Sequence, residues 1–128
     1  MALLPPPRLA AAADAVALLA FAVVGLLSHD HAVTNGGLAR DGLPLLGGWF
    51  AAAALLRLYA RPSAARLAAT WLVGVPAGVL VRALALGRTE VGREAAFLAV
   101  SLAFTALFVL ALRVLATRAG RSREPRHP

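Results

Sequence analysis

At 128 residues, with 60% of them drawn from AVILMFWYC, 15% charged and a mean hydropathy of +0.76, the chain is too apolar for a water-soluble domain, and its expected solvent is lipid. All thirteen basic residues are Arg, against six acidic ones, giving a formal charge of +7 and a pI near 11.8. In a polar protein that balance would suggest nucleic acid. Here the arginines lie between apolar blocks, and no block interleaves them with the aromatics of a base-stacking surface, so nucleic-acid binding is set aside. The absence of Cys removes disulfides, thiolate nucleophiles and Cys-ligated metal centres. Ala, Arg, Gly and Pro make up about half of the chain while Lys and Ile are absent, a sign of GC-rich coding that lowers the weight of any small-residue motif.

A helix needs about 20 mostly apolar residues to cross a hydrocarbon core of about 30 Å. Four stretches qualify in chain order: 9–28, with Asp14 as its only charge; 42–60, with Arg57 near its end; 67–86, containing Arg82; and 95–116, containing Arg113. They show no apolar/polar alternation and are rich in Ala and Leu rather than β-branched residues, which argues against strands. Pro5, Pro6 and Pro7 precede the first stretch, and a turn-prone loop from His29 to Asp41, with Asn35, Gly36 and Gly37, follows it. Arg61, Pro62 and Ser63 form the second link, with Ser63 as candidate N-cap, and Gly87 to Arg93 form the third. Links this short predict an all-α, up-down-up-down four-helix transmembrane bundle over 9–117, preceded by a short segment 1–8. The stretch 118–128 is polar and basic with two prolines, and is expected to be a disordered tail against anionic headgroups.

The N-terminus, second link and C-terminus carry Arg8, Arg57, Arg61, Arg66, Arg113, Arg118, Arg121, Arg123 and Arg126; the opposite side carries Arg40, Arg88 and Arg93. By the positive-inside rule both termini are cytoplasmic, in a multi-pass protein of the cell inner (plasma) membrane. A cleaved signal peptide is a competing reading of 9–28, but the apolar stretch exceeds the usual length of about 7 to 15 residues and no A-x-A-like site follows near Ser28.

Charges inside spans cost about 2.5 to 3.5 kcal/mol at the midplane, so Asp14, Arg82 and Arg113 demand partners. Asp14 and Arg113 lie at similar depths near the cytoplasmic side and are placed to meet. Arg82 lies near the outer end of its helix, about 15 Å from Asp14 in depth, where it snorkels outward or pairs with Asp41, Asp30 or Glu94. Two polar layers are expected: Asp14 with Arg113 inside, His29 with Arg82 outside. Helical spacing puts Asp14, Leu18, Phe21, Gly25 and the Ser28/His29 pair on one stripe. Gly74 and Gly78 form a small-x-x-x-small contact on the third helix, with Pro76 loosening the backbone between them. Phe97, Ser101, Phe104/Thr105, Phe108 and Leu112 make a packing stripe on the fourth, and Trp49, Tyr59 and Trp71 are expected to be interfacial anchors. His29, Asp30 and His31 are adjacent at a fraying helix end, and a closed metal site would need further ligands from Asp41, Glu90 or Glu94, so no metal is expected. Phosphate-cradling loops, nucleophile elbows and HExxH helices are absent, so neither an enzyme nor a cofactor is expected.

The order Asp14, Phe21, Gly25, Ser28-His29, Pro44, Trp49, Pro62, Trp71 and the Gly78-Val-Leu-Val-Arg82 run resembles the small integral membrane proteins grouped as domain of unknown function 3054, over about Leu9 to Arg113. Where that family has Gly-Trp-Arg at the end of its last helix, this chain reads Ala111-Leu112-Arg113, keeping the Arg without the Trp. The resemblance implies a four-span membrane protein, of a kind found in actinobacteria and halophilic archaea, and brings no activity with it. The leading functional expectation is transport or sensing of a small ion or solute through the two polar layers. The alternative is a non-transporting scaffold or accessory subunit that packs through the Gly74/Gly78 helix face onto a second copy or another membrane protein; Gly25 is a further candidate helix-packing residue. Lipid is a partner in both.

Overall fold

The computed structural model of the chain describes residues 2–28, 35–87 and 90–122. Among them are four helices, α1 (Pro7–Ser28), α2 (Asn35–Leu55), α3 (Ala64–Ala85) and α4 (Val91–Ser122), and no strand. Each helix packs on its chain neighbours and α1 also packs on α4, closing a ring in which α2 and α3 share the largest contact. Hydrogen bonds from Arg113 and Thr117 of α4 to Leu3 and Ala2 bring the segment before α1 onto the C-terminal part of α4, at the end of the bundle here called the near end. Leu43, Leu55, Leu84, Leu107 and Leu115 point outward, as an apolar solvent allows.

By length and composition α1, α3 and α4 can each cross a membrane. The fourth expected span is weaker, because Arg40, Asp41, five glycines and Pro44 dilute the apolar content of α2. This helix begins at Asn35 rather than near 42, running through residues expected to form a loop. Two early glycines disfavour a helix by about 1 kcal/mol each, but the extra turn presents Asp41 to Arg82 on α3, and tertiary contact overrides propensity.

At its other end α2 stops at Leu55 in a Schellman turn: Leu58 N–H donates to Ala53 C=O at 2.9 Å and Arg57 N–H to Ala54 C=O at 3.3 Å. Arg57 occupies the left-handed position, with φ +55°, where glycine is usual. Leu58 is buried beneath the turn, and the chain reverses through Tyr59 into α3. Ser63 caps α3 as expected, its Oγ accepting from Arg66 N–H at 3.0 Å. Beyond the expected end at 116, α4 continues to Ser122 through part of the expected tail, where Ala and Arg are strong helix formers and Arg suits a helix C-terminus.

Glycine sets how closely α2 and α3 approach. A Cβ on Gly48 would lie 2.5 Å from Gly74 O and 2.7 Å from Gly78 N; one on Gly78 would lie 2.8 Å from Pro44 O. Backbone meets backbone here, so this contact admits no other residue without moving a helix.

Candidate functional site

Near the termini, α1 and α4 are joined by an ion pair sealed from solvent. Asp14 is 0% and Arg113 1% exposed. Arg113 donates Nε to Asp14 Oδ1 at 2.7 Å and Nη2 to Oδ2 at 2.6 Å, the bidentate fork that suits a guanidinium to a carboxylate. Its Nη1 donates to Leu3 C=O at 2.8 Å, and one turn on, Thr117 Oγ1 donates to Ala2 C=O at 2.8 Å. The segment before α1 thus folds across the near end of the bundle, with Pro5 buried in it. Their similar depth along the two helices predicts that Asp14 and Arg113 meet, and the structure pairs them directly.

Tyr59 and Trp49 complete this network, and sequence reasoning missed both. Tyr59 donates its hydroxyl to Asp14 Oδ2 at 2.6 Å, and Trp49 Nε1 donates to the Tyr59 oxygen at 3.1 Å. Burial, followed by the Asp14 carboxylate it serves, holds the Tyr59 hydroxyl protonated well above its usual range, so it stays a donor. Trp49 is fully buried rather than interfacial. Trp71 also turns inward, donating Nε1 to Leu102 C=O at 3.0 Å and to Thr105 Oγ1 at 3.3 Å. All three aromatics were expected at the lipid interface; each instead spends its polar atom on a partner within the bundle, where an unpaired one would be costly.

At the far end Arg82 donates Nε to Asp41 Oδ1 at 3.0 Å and stacks its guanidinium 4.5 Å from the centre of the Phe97 ring. Arg40 lies 3.3 Å from the same Asp41 oxygen. These groups line a chamber of about 380 Å³, shared with Gly25, Arg93 and Glu94. Three guanidiniums and two carboxylates line it, and Glu90 pairs with Arg93 at 3.6 Å from just outside. Glu94 Oε2 is buried without a hydrogen-bond partner. The near end is therefore fully paired, whereas the far end keeps charged groups around open space.

His29, expected beside Arg82, lies outside the described residues, as do Asp30 and His31. Gly25 sits on the Asp14 stripe as expected but packs no helix: a Cβ there would meet nothing within 4 Å, and the residue borders the chamber. Gly74 and Gly78 do pack, but onto α2 of their own chain, through Trp49, Gly48, Pro44 and Leu45. Within the chain, that face is filled by α2. Between the two layers Ser101 and Thr105 are buried on α4, with Thr105 Oγ1 donating to Ser101 C=O and Ser101 Oγ unpaired; Phe104 from the same expected stripe is 46% exposed and faces outward.

Against known proteins, the family model described as "Protein of unknown function (DUF3054)" matches residues 11–116, a stretch that includes Asp14, Trp49, Tyr59, Arg82 and Arg113. No curated protein and no solved structure matches the chain. With most of its length covered, including both charged layers, the chain belongs to the DUF3054 family.

Proposed function

We propose that this chain is a plasma-membrane protein, both termini cytoplasmic, that takes a ligand bearing an acidic group into its far-end chamber from the outer side, in transport or sensing. The observation that carries this reading is the contrast between the two ends. The near end is shut by a network in which Asp14, Arg113, Tyr59 and Trp49 satisfy one another. The far end surrounds about 380 Å³ with three guanidiniums, one of them stacked on an aromatic ring. Guanidinium forks recognise carboxylate and phosphate groups, and the ion pairs of these three arginines use Nε, which leaves their terminal nitrogens to a ligand. The arginine asymmetry of the chain supports the orientation.

Thermal unfolding of the purified protein tests the reading, with inorganic phosphate, O-phosphoethanolamine and bilayer phospholipids added in turn. A ligand at about 100 times its Kd stabilises by about 2.7 kcal/mol. At least one of the three raises the Tm of the wild type and leaves Arg82→Gln unmoved. If none does, the chamber is not a binding site.

A further inference from the structure

The chamber does not end at its charged wall. A second, apolar groove of about 390 Å³ runs between α1 and α4, lined by Val24, Ala96, Val100 and Phe104, and it shares Phe21, Gly25, Arg93 and Phe97 with the chamber. The missing side chain of Gly25 keeps the junction open, since a Cβ there would project into empty space. From Arg93 to Phe104 the groove extends over eleven residue steps of α4, about 16 Å, which is about half of a hydrocarbon core of about 30 Å and so the depth of one leaflet. A charged pocket at the end of a leaflet-long apolar groove has the form of an amphiphile.

We propose that the ligand of this chamber is a membrane phospholipid with a primary ammonium in its headgroup, of the phosphatidylethanolamine kind. This rests on the chamber being the binding site. The phosphate accepts from the terminal nitrogens of Arg40, Arg82 and Arg93, whose ion pairs with Asp41 and Glu90 run through Nε. The ammonium supplies the donor that Glu94 Oε2 lacks. An acyl chain covers Phe97, Val100 and Phe104 in the groove. Phosphatidylcholine has no N–H to offer Glu94, and phosphatidylglycerol brings no cation to it.

Native mass spectrometry of the delipidated full chain in detergent tests this, with phosphatidylethanolamine, phosphatidylglycerol, phosphatidylcholine and free O-phosphoethanolamine as probes. The wild type should retain phosphatidylethanolamine at least tenfold better than the other two lipids and the free headgroup. Glu94→Gln should erase the preference while keeping phospholipid binding, and Arg82→Gln should weaken all three lipids. Val100→Trp, at a half-exposed position where folding tolerates bulk, should block the lipids by filling the groove. Equal retention of the three lipids by the wild type overturns the headgroup assignment. Free O-phosphoethanolamine bound as tightly as the lipid overturns the amphiphile but keeps the chamber as a site, whereas no binding of any probe removes both.

Discussion

Replacing Asp14 with Asn keeps the shape of the near-end network and removes its negative charge. Arg113 cannot shed its proton, so a full positive charge is left at a position 1% exposed. Of the contacts it now makes, the Leu3 carbonyl survives, and the amide oxygen replaces only one of two carboxylate oxygens. Two magnitudes compete. Side-chain hydrogen bonds between membrane helices average about 0.6 kcal/mol, because separated helices find other partners in the bilayer. A buried charge stripped of its counter-ion costs about 3–5 kcal/mol. The second governs here, since what is lost is a charge rather than a neutral bond, and the expected destabilisation is about 3 kcal/mol. The double variant Asp14→Leu/Arg113→Met removes both charges but leaves the Tyr59 hydroxyl without its acceptor, so it should lie about 1–3 kcal/mol below wild type and well above the sum of the single variants. Reversible unfolding in mixed micelles, followed by Trp49 and Trp71 fluorescence, measures both. An Asp14→Asn protein within about 1 kcal/mol of wild type, or a double variant as unstable as the summed single variants, refutes the reasoning.

Further substitutions probe the rest of the frame. Tyr59→Phe deletes a 2.6 Å bond to a buried carboxylate and should cost about 1.5–3 kcal/mol in the same unfolding experiment. Arg57→Gly relieves a left-handed backbone at an exposed turn residue and should stabilise by about 1 kcal/mol, read as a rise in Tm. Gly48→Ala drives a methyl into the backbone of α3 and should lose the folded bundle in size-exclusion chromatography, while Gly47→Ala, with nothing within 4 Å, should be neutral or stabilising. Deleting residues 1–5 removes the carbonyls that Arg113 and Thr117 use, and should speed hydrogen exchange at the near end before the far end.

Depth along apolar helices made the polar skeleton legible. Counting residues from helix ends placed Asp14 level with Arg113 and kept Arg82 in a separate layer, because 1.5 Å per residue converts sequence into height. Asp41 stood among the partners read for Arg82, and Ser63 as a cap, on equally local grounds. The aromatics escaped because interfacial statistics say how Trp and Tyr distribute, not where a particular indole finds room, which the packing of several helices decides together. Tyr59 reached Asp14 only through a Schellman turn centred on a non-glycine residue, which no turn signal marks. The strap of residues before α1 was hidden because its contacts use backbone carbonyls, which every sequence possesses. The chamber itself depends on which side chains fail to fill space between helices, a property of packing that periodicity does not encode.

The absence of cysteine makes one measurement especially direct: labelling of single-cysteine variants by a charged, membrane-impermeant thiol reagent in sealed vesicles. Gly25 borders the far-end chamber with open space where a Cβ would stand, whereas Ala13 is buried beside Asp14 at the near end. A chamber open at the far end and sealed at the other requires Gly25→Cys to be modified from the outer side and Ala13→Cys to resist modification from both sides. Equal modification of the two, or modification of Ala13→Cys alone, would contradict it.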